Sequence, residues 1–357
     1  MQNNLSVYHK ILAQLCQWLP DERITRKRNL ALLVVGLYLS ASVQLSKIVA
    51  KWPVEGQLSS LANRLRRFLD NEQVERDNYF APLARPLLDR FAHRLLTLVI
   101  DTTKVGHNHR ALVVGLAYRK RCLPLTWSVH EGTLGNVGIS EIVVLLEQVN
   151  LWLPEGSQVV LLGDSAFRPG DLLYWLREHQ WGYVIRQRKE VNIRYPNGNW
   201  FPIEQITIQK GETVAVGWVW IARTNPFGLT WLVLHWRPNE DEPWILVSHQ
   251  AGERIALRWY AKRMWIEELI GDLKRHGFDL AATHLGSTAR IENLLLGLAI
   301  AYVWLISIGS WVVKQGTRYQ VDRRERRDKS YFRLGWDWVG RCLRLNLPIR
   351  VQFVPLL

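Results

Sequence analysis

Between residues 93 and 190 the sequence alternates apolar, β-branched runs with segments of helical period, and this alternation limits the fold most. Three strand-like runs precede the first helical segment, Glu141–Leu153, and a second helical segment opened by Pro169 separates the last two runs. In order, the strand-like runs are HRLLTLVIDTTKV, ALVVGLAYRKR, LPLTWSVH, QVVLLGDSAF and GYVIRQRKE. Strands alternating with helices predict an α/β domain built around one sheet.

The element order β-β-β-α-β-α-β is that of a ribonuclease H-like sheet, in which the first and fourth strands are neighbours. We therefore predict an α/β fold whose ribonuclease H-like domain is interrupted by a β-rich insertion. A helical N-terminal region precedes this domain, and a helical basic C-terminal region follows it. The predicted bounds are 1–92 for the N-terminal region, 93–190 and 251–315 for the two parts of the core, 191–250 for the insertion and 316–357 for the C-terminal region.

The N-terminal region has helical periodicity through Leu5–Leu19, Leu30–Val49 and Leu58–Leu69. The Pro/Gly-containing segment KWPVEGQ separates the last two helices, which gives the outline of a helix-turn-helix. Three arginines on its second helix are candidate DNA contacts, and they are Arg64, Arg66 and Arg67. The alternative is a helical domain with an ordinary basic surface.

One segment, Asn293–Val313, contains no charged residue over a length that could span a bilayer. The alternative is a helix buried on all sides in the core of a large α/β domain. We predict the buried helix because the preceding sequence resembles a catalytic site, and because Gly297 and Gly309 suit close packing against a sheet.

The formal charge of +14 favours a polyanionic partner, either nucleic acid or an anionic membrane surface. Residues 318–350 alone contribute ten basic and four acidic side chains. The three cysteines, Cys16, Cys122 and Cys342, show no CxxC spacing, so neither a zinc site nor a disulfide framework is indicated. Together with an N-terminus unlike a signal peptide, this predicts a cytoplasmic protein.

Two aspartates, Asp101 and Asp164, each end a hydrophobic run that is predicted to be a strand. If those strands are neighbours, both carboxylates lie at one edge of the sheet, where open α/β folds bind their ligands. A third carboxylate from a helix would complete a hard-oxygen site for Mg²⁺ or Mn²⁺. Solvated or helix-capping aspartates are the alternative.

A predicted long helix, from Glu253 to about His276, supplies the third carboxylate. Four of its polar residues stand at offsets 0, 3, 7 and 14, and they are Tyr260, Arg263, Glu267 and Lys274. At about 100° per residue these four positions share roughly a 60° arc of one helical face. An amphipathic helix with a solvated polar face is the alternative.

The spacing Tyr-x2-Arg-x3-Glu-x6-Lys resembles the signature of the insertion-sequence-4 group of bacterial DDE transposases. The IDTT segment, GDSAF and YVIRQR strengthen the resemblance, which covers roughly residues 90–315. It implies that Asp101, Asp164 and Glu267 bind metal, and that Tyr260, Arg263 and Lys274 contact DNA phosphates. This chain departs from many relatives in having Asp101-Thr102-Thr103 where they have Asp-Asp-Thr.

The resemblance further implies metal-dependent DNA cleavage and strand transfer without an organic cofactor, with Mg²⁺ as cofactor and Mn²⁺ able to substitute. The implied partners are double-stranded DNA, as terminal inverted repeats and target, and a second copy of the chain in a synaptic complex. No membrane partner is expected, and the implied DNA partner places the protein at the nucleoid. Two alternatives keep the fold, namely a catalytically inactive transposase-derived DNA-binding protein and a simple nuclease. A third alternative is a membrane-associated basic protein, which rests on residues 293–313.

Weaker candidates for DNA contact lie elsewhere in the chain. Arg186 and Arg188 lie in GYVIRQRKE, the strand-like run that comes after the one ending in Asp164, and the alternative is that they are ordinary surface arginines. The insertion is rich in tryptophan, and Trp236 is favoured to hold an unstacked base, although alternating aromatics usually pack a small β layer. The segment DRRERRDK, residues 322–329, predicts either a phosphate contact or a solvated helix.

Overall fold

The computed structural model describes residues 2–132, 137–167 and 170–356. The strands in these ranges are β1 (Leu96–Val105), β2 (His109–Tyr118), β3 (Arg121–Glu131), β4 (Val159–Gly163), β5 (Gly182–Arg186), β6 (Asn192–Arg194), β7 (Phe201–Pro202), β8 (Thr213–Ile221), β9 (Phe227–His235) and β10 (Trp244–Ser248). The α-helices are α1 (Gln2–Trp18), α2 (Ile24–Ser40), α3 (Leu45–Val49), α4 (Leu58–Leu69), α5 (Arg76–Phe91), α6 (Ile139–Asn150), α7 (Asp171–Glu178), α8 (Glu253–Tyr260), α9 (Met264–Leu273), α10 (Thr288–Lys314) and α11 (Tyr331–Arg344).

One sheet contains all the described strands, in the order β3-β2-β1-β4-β5-β10-β9-β8-β6-β7. Strands β1, β2 and β3 are antiparallel, whereas β4 runs parallel to β1 and β5 runs parallel to β4. The predicted neighbourhood of the first and fourth strands is therefore confirmed. One detail of the prediction is wrong, because β1 does not end at Asp101 and continues, paired with β2, to Val105. Pro169, predicted to open α7, lies outside the described residues.

The β-rich segment after residue 190 extends the central sheet instead of forming a separate one. Strand β10 pairs antiparallel with β5, and β9, β8 and β6 follow outward. Strand β5 would otherwise expose a row of unpaired backbone groups at the sheet edge, and β10 satisfies them. The outermost strand, β7, has only two residues, so it leaves little free edge.

Helix α10 runs through the core and accounts for the uncharged segment of the sequence. Within the described residues it is the helix long and apolar enough to span a membrane, but 89% of its most apolar window is buried inside the protein. It packs against α2, α11 and β3. Its apolar surface is therefore satisfied by protein, as the buried-helix prediction required.

The N-terminal helices differ from the prediction at one point. The predicted helix Leu30–Val49 is two helices, because α2 ends at Ser40 and Ala41 adopts a left-handed conformation with φ 50°. Helix α4 follows the predicted bounds and buries one stripe at helical spacing, consisting of Leu61, Leu65, Phe68 and Leu69. The short α3 and the longer α4 pack against each other, in the order of the predicted helix-turn-helix.

The C-terminal basic region packs against the core through α11 and through the segment that follows this helix. This helix meets α10 at backbone contact distance, since a Cβ on Gly335 would stand 1.8 Å from the carbonyl oxygen of Leu305. The segment after α11 is held by hydrogen bonds to its backbone carbonyls, including Lys10 Nζ to Ile349 at 2.6 Å and Tyr118 Oη to Leu356 at 2.6 Å. The predicted alternative of a solvated helix at residues 322–329 is wrong, because this segment is an irregular loop.

Candidate active site

Asp101 and Asp164 lie side by side because the strands that carry them are parallel neighbours. The register pairs Val99 of β1 with Leu162 of β4, and each aspartate follows two residues later. Each carboxylate has one oxygen held by a backbone N–H: Thr102 N donates to Asp101 Oδ1 at 2.8 Å, and Ala166 N donates to Asp164 Oδ1 at 2.8 Å. The other oxygen of each aspartate is thereby left to face the space between them.

The Arg263 guanidinium occupies that space and contacts all three predicted carboxylates. Its Nη2 lies 2.8 Å from Asp101 Oδ2 and 3.4 Å from Asp164 Oδ2, and its Nη1 lies 2.9 Å from Glu267 Oε1. The structure thus brings Asp101, Asp164 and Glu267 together from three separate parts of the chain. The sequence predicted their proximity but assigned Arg263 only to phosphate.

The three carboxylates differ in solvent exposure, which increases from Asp101 to Asp164 to Glu267. The Asp101 side chain is 7% exposed, that of Asp164 29% and that of Glu267 45%, so a substrate would approach from the Glu267 side. Burial raises the pKa of Asp101 to about 7; the Arg263 charge opposes this rise, and the Asp164 and Glu267 charges add to it. The surrounding carboxylates outweigh burial for the guanidinium and raise the pKa of Arg263.

Three carboxylates and one guanidinium leave a net charge of about −2 in a partly buried site, which a divalent cation would neutralise. The oxygen donors match the preference of Mg²⁺ and Mn²⁺. In the described ranges, no three Asp, Glu, His or Cys side chains are already arranged to hold a metal ion. The Arg263 guanidinium contacts all three carboxylates, whose oxygen donors would fit a divalent ion once the guanidinium is displaced.

The helix that supplies Glu267 is interrupted, contrary to the prediction of a continuous helix from Glu253 to about His276. Residues 261–263 form a 3₁₀ turn between α8 and α9, and α9 ends at Leu273. A 3₁₀ turn advances about 120° per residue instead of 100°, so it rotates α8 relative to α9. The predicted single polar face of Tyr260, Arg263, Glu267 and Lys274 is therefore wrong as a helical surface.

Tyr260 and Lys274 consequently occupy different surroundings from those predicted. The Tyr260 ring is buried edge-on against Trp244, with ring centroids 4.8 Å apart, and burial raises its pKa. Lys274 caps the end of α9 and is half-buried, and its charge interacts with Glu267 and with Lys104. Lys104, three residues after Asp101, is a basic group near the site that the sequence reasoning missed.

Arg121 is a second residue that the sequence reasoning missed, and it fixes the position of α9. This β3 residue bridges Glu268 at 2.9 Å and Asp272 at 2.8 Å. Tyr302 of α10 also donates to Asp272, at 3.3 Å. The contacts attach the face of α9 next to Glu267 to the sheet, and no local signal indicates them because Arg121 and Asp272 are 151 residues apart.

The family model for the transposase DDE domain matches residues 102–304, more than half of the chain, with Asp164 and Glu267 inside the match and Asp101 just before it. The chain belongs to the DDE transposase family. A DDE transposase cuts DNA and joins the cut end to new DNA, so the alternatives of a DNA-binding derivative and a membrane-associated protein are not favoured.

Among solved structures the transposase is similar to a piggyBac transposase synaptic complex with hairpin DNA, seen by cryo-EM. The identity is 11% and the TM-score 0.43, with coverage of 98% of this chain and 84% of that chain. No curated protein matches the chain.

Beside the triad the transposase has an open groove of about 760 Å³. Its lining includes Ser165, which follows Asp164, together with Arg186, Arg188 and Trp236. The other charged groups of the lining are Lys189 and four carboxylates, those of Glu190, Glu204, Asp241 and Glu242. The Trp236 indole is half-buried and donates through Nε1 to the Glu240 carbonyl at 3.0 Å. The structure therefore gathers three weaker predicted DNA contacts into one groove next to the carboxylates.

The arginines of α4 are unequally available. Arg64 is partly used inside the protein, donating to Asn29 Oδ1 at 2.8 Å and lying 5.7 Å from the centroid of the Trp52 ring. Arg66 and Arg67 are exposed on the side of α4 that faces away from its buried stripe. This surface is separate from the groove lined by Arg186 and Trp236.

Proposed function

We propose that Asp101, Asp164 and Glu267 are the catalytic, metal-binding residues of this transposase, with Mg²⁺ as the ion and Mn²⁺ able to replace it. The observation that carries the proposal is the convergence of all three carboxylates on one guanidinium, from β1, β4 and α9. When bound, divalent ions in such a site activate the attacking oxygen and stabilise the leaving oxygen of a phosphodiester.

The protein's own residues orient the reaction. Backbone N–H groups fix the two aspartates, so their free oxygens keep one direction in the absence of DNA. Arg121 holds α9 on the sheet and so positions Glu267. Lys104 and Lys274 add positive charge on the Glu267 side, where a DNA phosphate would enter. Tyr260 packs against Trp244 and interacts electrostatically with Arg263 and Asp164, so it would support the site from inside the protein.

We propose that the groove beside Asp164 receives the DNA end, with Arg186 and Arg188 on its phosphates. An unstacked base would lie against Trp236, since base–aromatic stacking stabilises single-stranded contacts by about 1–3 kcal/mol. The groove volume of about 760 Å³ is in the range of pockets that hold ligands of nucleotide size. Arg66 and Arg67, with Arg64 as their support, would contact duplex DNA farther from the cut.

The Tyr260, Arg263, Glu267 and Lys274 spacing supports membership of the insertion-sequence-4 group. We infer that the substrates are the terminal inverted repeats of an insertion sequence and its target DNA. Two ends must be joined together, so a homodimer on DNA is expected, acting in the cytoplasm at the nucleoid. Residues 1–92 would serve DNA binding, and 316–357 would form a basic C-terminal region.

The test is metal-dependent nicking of a labelled duplex that carries the element's own end, comparing the parent chain with Glu267→Gln. The matched control is Glu268→Gln, because Glu268 is its neighbour on α9 but faces Arg121. We expect Glu267→Gln to lower the nicking rate by at least about 10³-fold, equivalent to about 4 kcal/mol of barrier, at unchanged DNA occupancy. Glu268→Gln should retain nicking within a few-fold.

If Glu267→Gln nicks as fast as the parent chain, the assignment of the third carboxylate is wrong. If both variants bind DNA and neither they nor the parent cut it in Mg²⁺ or Mn²⁺, a non-catalytic DNA-binding role replaces the proposal. Cleavage without joining of a pre-cut end would identify a simple nuclease.

A further inference from the structure

The Arg263 guanidinium sits where the cofactor would have to bind, and this placement rests on the triad proposed above. Its Nη2 is shared by Asp101 Oδ2 and Asp164 Oδ2, and its Nη1 holds Glu267 Oε1. The two aspartate oxygens are the ones that the backbone N–H groups leave free for a metal ion. A guanidinium and a divalent ion cannot both occupy this space.

A second observation concerns the part of Arg263 that is not used. Its Nε is buried and has no hydrogen-bond acceptor among the described residues. A buried donor without an acceptor costs free energy, so a ligand that accepts a hydrogen bond from Nε would be favoured. A phosphate oxygen is the natural acceptor for a guanidinium, and a phosphate group can accept from two of its nitrogens at once.

We propose that Arg263 is a placeholder cation, holding the three carboxylates together without metal and leaving them for a DNA phosphate when metal binds. Without a cation, three carboxylates at this distance would repel one another and separate. With Arg263 among them the site is preassembled but closed to metal. A phosphate that takes the guanidinium opens the site, so DNA binding and metal binding strengthen each other, and this coupling is reciprocal.

The experiment measures Mn²⁺ affinity by the electron paramagnetic resonance signal of free Mn²⁺, with and without a duplex carrying the element's end. We expect Arg263→Gln without DNA to bind Mn²⁺ about 10- to 100-fold more tightly than the parent chain, because the ion no longer has to displace charge-assisted hydrogen bonds. Arg263→Lys keeps the charge but cannot span three carboxylates, so it should bind with intermediate affinity.

Adding DNA gives the second readout. A phosphate that itself ligates the ion would tighten Mn²⁺ binding in every variant, so Arg263 accounts only for the difference between variants. We expect the increase in affinity on adding DNA to be at least about tenfold larger in the parent chain than in Arg263→Gln. Equal increases, or weaker Mn²⁺ binding by Arg263→Gln and Arg263→Lys without DNA, would overturn the proposal.

The control Asp164→Asn separates this inference from the site assignment. If Asp164→Asn weakens Mn²⁺ binding while Arg263→Gln fails to strengthen it, the triad binds metal and only the placeholder role is wrong. If Asp164→Asn has no effect on Mn²⁺ affinity, the site assignment itself fails, and the placeholder role fails with it.

A different observation concerns the loop of residues 323–328, which we call the arginine loop. Its base is fastened by ion pairs, Arg318 to buried Asp322 at 2.6 Å and Lys329 to Asp337 at 2.7 Å. The loop itself is exposed and carries four arginines and two acidic residues. Both ends of the loop are therefore attached to the protein, while the arginines between them are exposed.

Neighbouring basic groups extend this surface toward the active site. Tyr331, just after the loop, accepts a hydrogen bond from Arg119 of the exposed β2–β3 turn at 2.8 Å. Arg333 donates to the His276 carbonyl, three residues beyond the end of α9, at 3.0 Å. Helix α9 has ten residues and is therefore about 15 Å long, less than half the roughly 34 Å helical turn of duplex DNA.

We infer that the arginine loop contacts the phosphate backbone of duplex DNA that extends away from the triad along α9. Arginine-rich contacts of this kind act on phosphates and carry no sequence preference. The test compares Arg323→Ala/Arg327→Ala with a matched exposed pair outside the proposed DNA-binding surfaces, Arg94→Ala/Arg223→Ala. The measurement is the affinity for a duplex with and without the element's end over a range of salt concentrations.

We expect the loop variant to reduce the slope of log affinity against log salt by about 0.9 for each phosphate that the loop no longer neutralises, equally for both duplexes. The matched exposed pair should leave the slope unchanged. A loop variant with the same slope as the parent chain would overturn the inference. That result is also the one expected if the loop binds an acidic protein instead of DNA. A fall in affinity confined to the duplex with the element's end would also overturn it.

Discussion

The backbone contact between α10 and α11 gives the sharpest quantitative prediction. A Cβ at Gly335 would lie 1.8 Å from the Leu305 carbonyl oxygen and 3.0 Å from Gly309 N, whereas ordinary contacts begin near 3.4 Å. Gly335→Ala must therefore separate two helix backbones by about 1.5 Å, and backbone cannot rotate away as a side chain can. Overpacking of this kind costs about 1–3 kcal/mol or more, against a gain of about 1 kcal/mol in helix propensity.

We place the overpacking cost of Gly335→Ala at the upper end of that range, which gives a net decrease of about 2 kcal/mol in the free energy of unfolding. Urea denaturation followed by tryptophan fluorescence would measure it, since Trp304 and Trp336 report on the two helices. Gly340→Ala is the control on the same helix, because its Cβ would meet only Tyr38 Oη at 3.4 Å. It should be neutral or stabilise by up to about 1 kcal/mol. Equal stability of Gly335→Ala and the parent chain, or an equal decrease in both variants, would refute the packing argument.

Three further predictions concern other parts of the molecule. Burial raises the pKa of Asp272 to about 6, above its ordinary 3.8, so the stability linked to its protonated form is full below pH 4 and is lost as the pH rises through 6. In urea denaturation the parent chain should therefore lose about 3 kcal/mol of unfolding free energy relative to Asp272→Asn over that interval. A difference between the two chains that does not change with pH would contradict this. Trp236→Ala should weaken binding of a DNA end with an unpaired terminal base about 10- to 100-fold, measured by fluorescence anisotropy, whereas the control Trp218→Ala should not weaken it. Equal effects of the two substitutions would show that Trp236 does not stack on the base. Buried Lys27 donates to the Leu19 carbonyl at 2.9 Å, so Lys27→Met should lower the free energy of unfolding by about 1–3 kcal/mol, and an unchanged urea midpoint would show that this contact contributes nothing.

The strands of the core could be predicted from sequence because their signal is local. Each run of β-branched and apolar residues from 93 to 190 became a strand, and the neighbourhood of β1 and β4 followed from element order. The buried nature of α10 was also predictable, because a catalytic-looking sequence precedes its uncharged run. These properties depend on short-range periodicity and on topology rules that few folds break.

The rest depended on contacts between distant residues, which periodicity does not encode. A uniform 100° rotation placed Tyr260 on the same face as Glu267, but the 3₁₀ turn at 261–263 buried its ring against Trp244. The central position of Arg263 arises from partners 162 and 99 residues away. The insertion was recognised as β-rich, yet its pairing with β5 is a tertiary choice that satisfies an open edge.

That pairing has a consequence for which bond the enzyme cuts. Asp164 follows β4, Arg186 ends β5, and Trp236 follows β9, with β10 between β5 and β9. Adjacent strands lie about 4.8 Å apart, so hydrogen bonds set the separation between groove and carboxylates in steps of that size. If a nucleotide stacks on Trp236 and the carboxylates cut DNA, as proposed above, this fixed separation would determine how many nucleotides lie between the stacked base and the cut phosphate. Changing the strand pairing between β5 and β9 would then shift the cleavage position along the DNA.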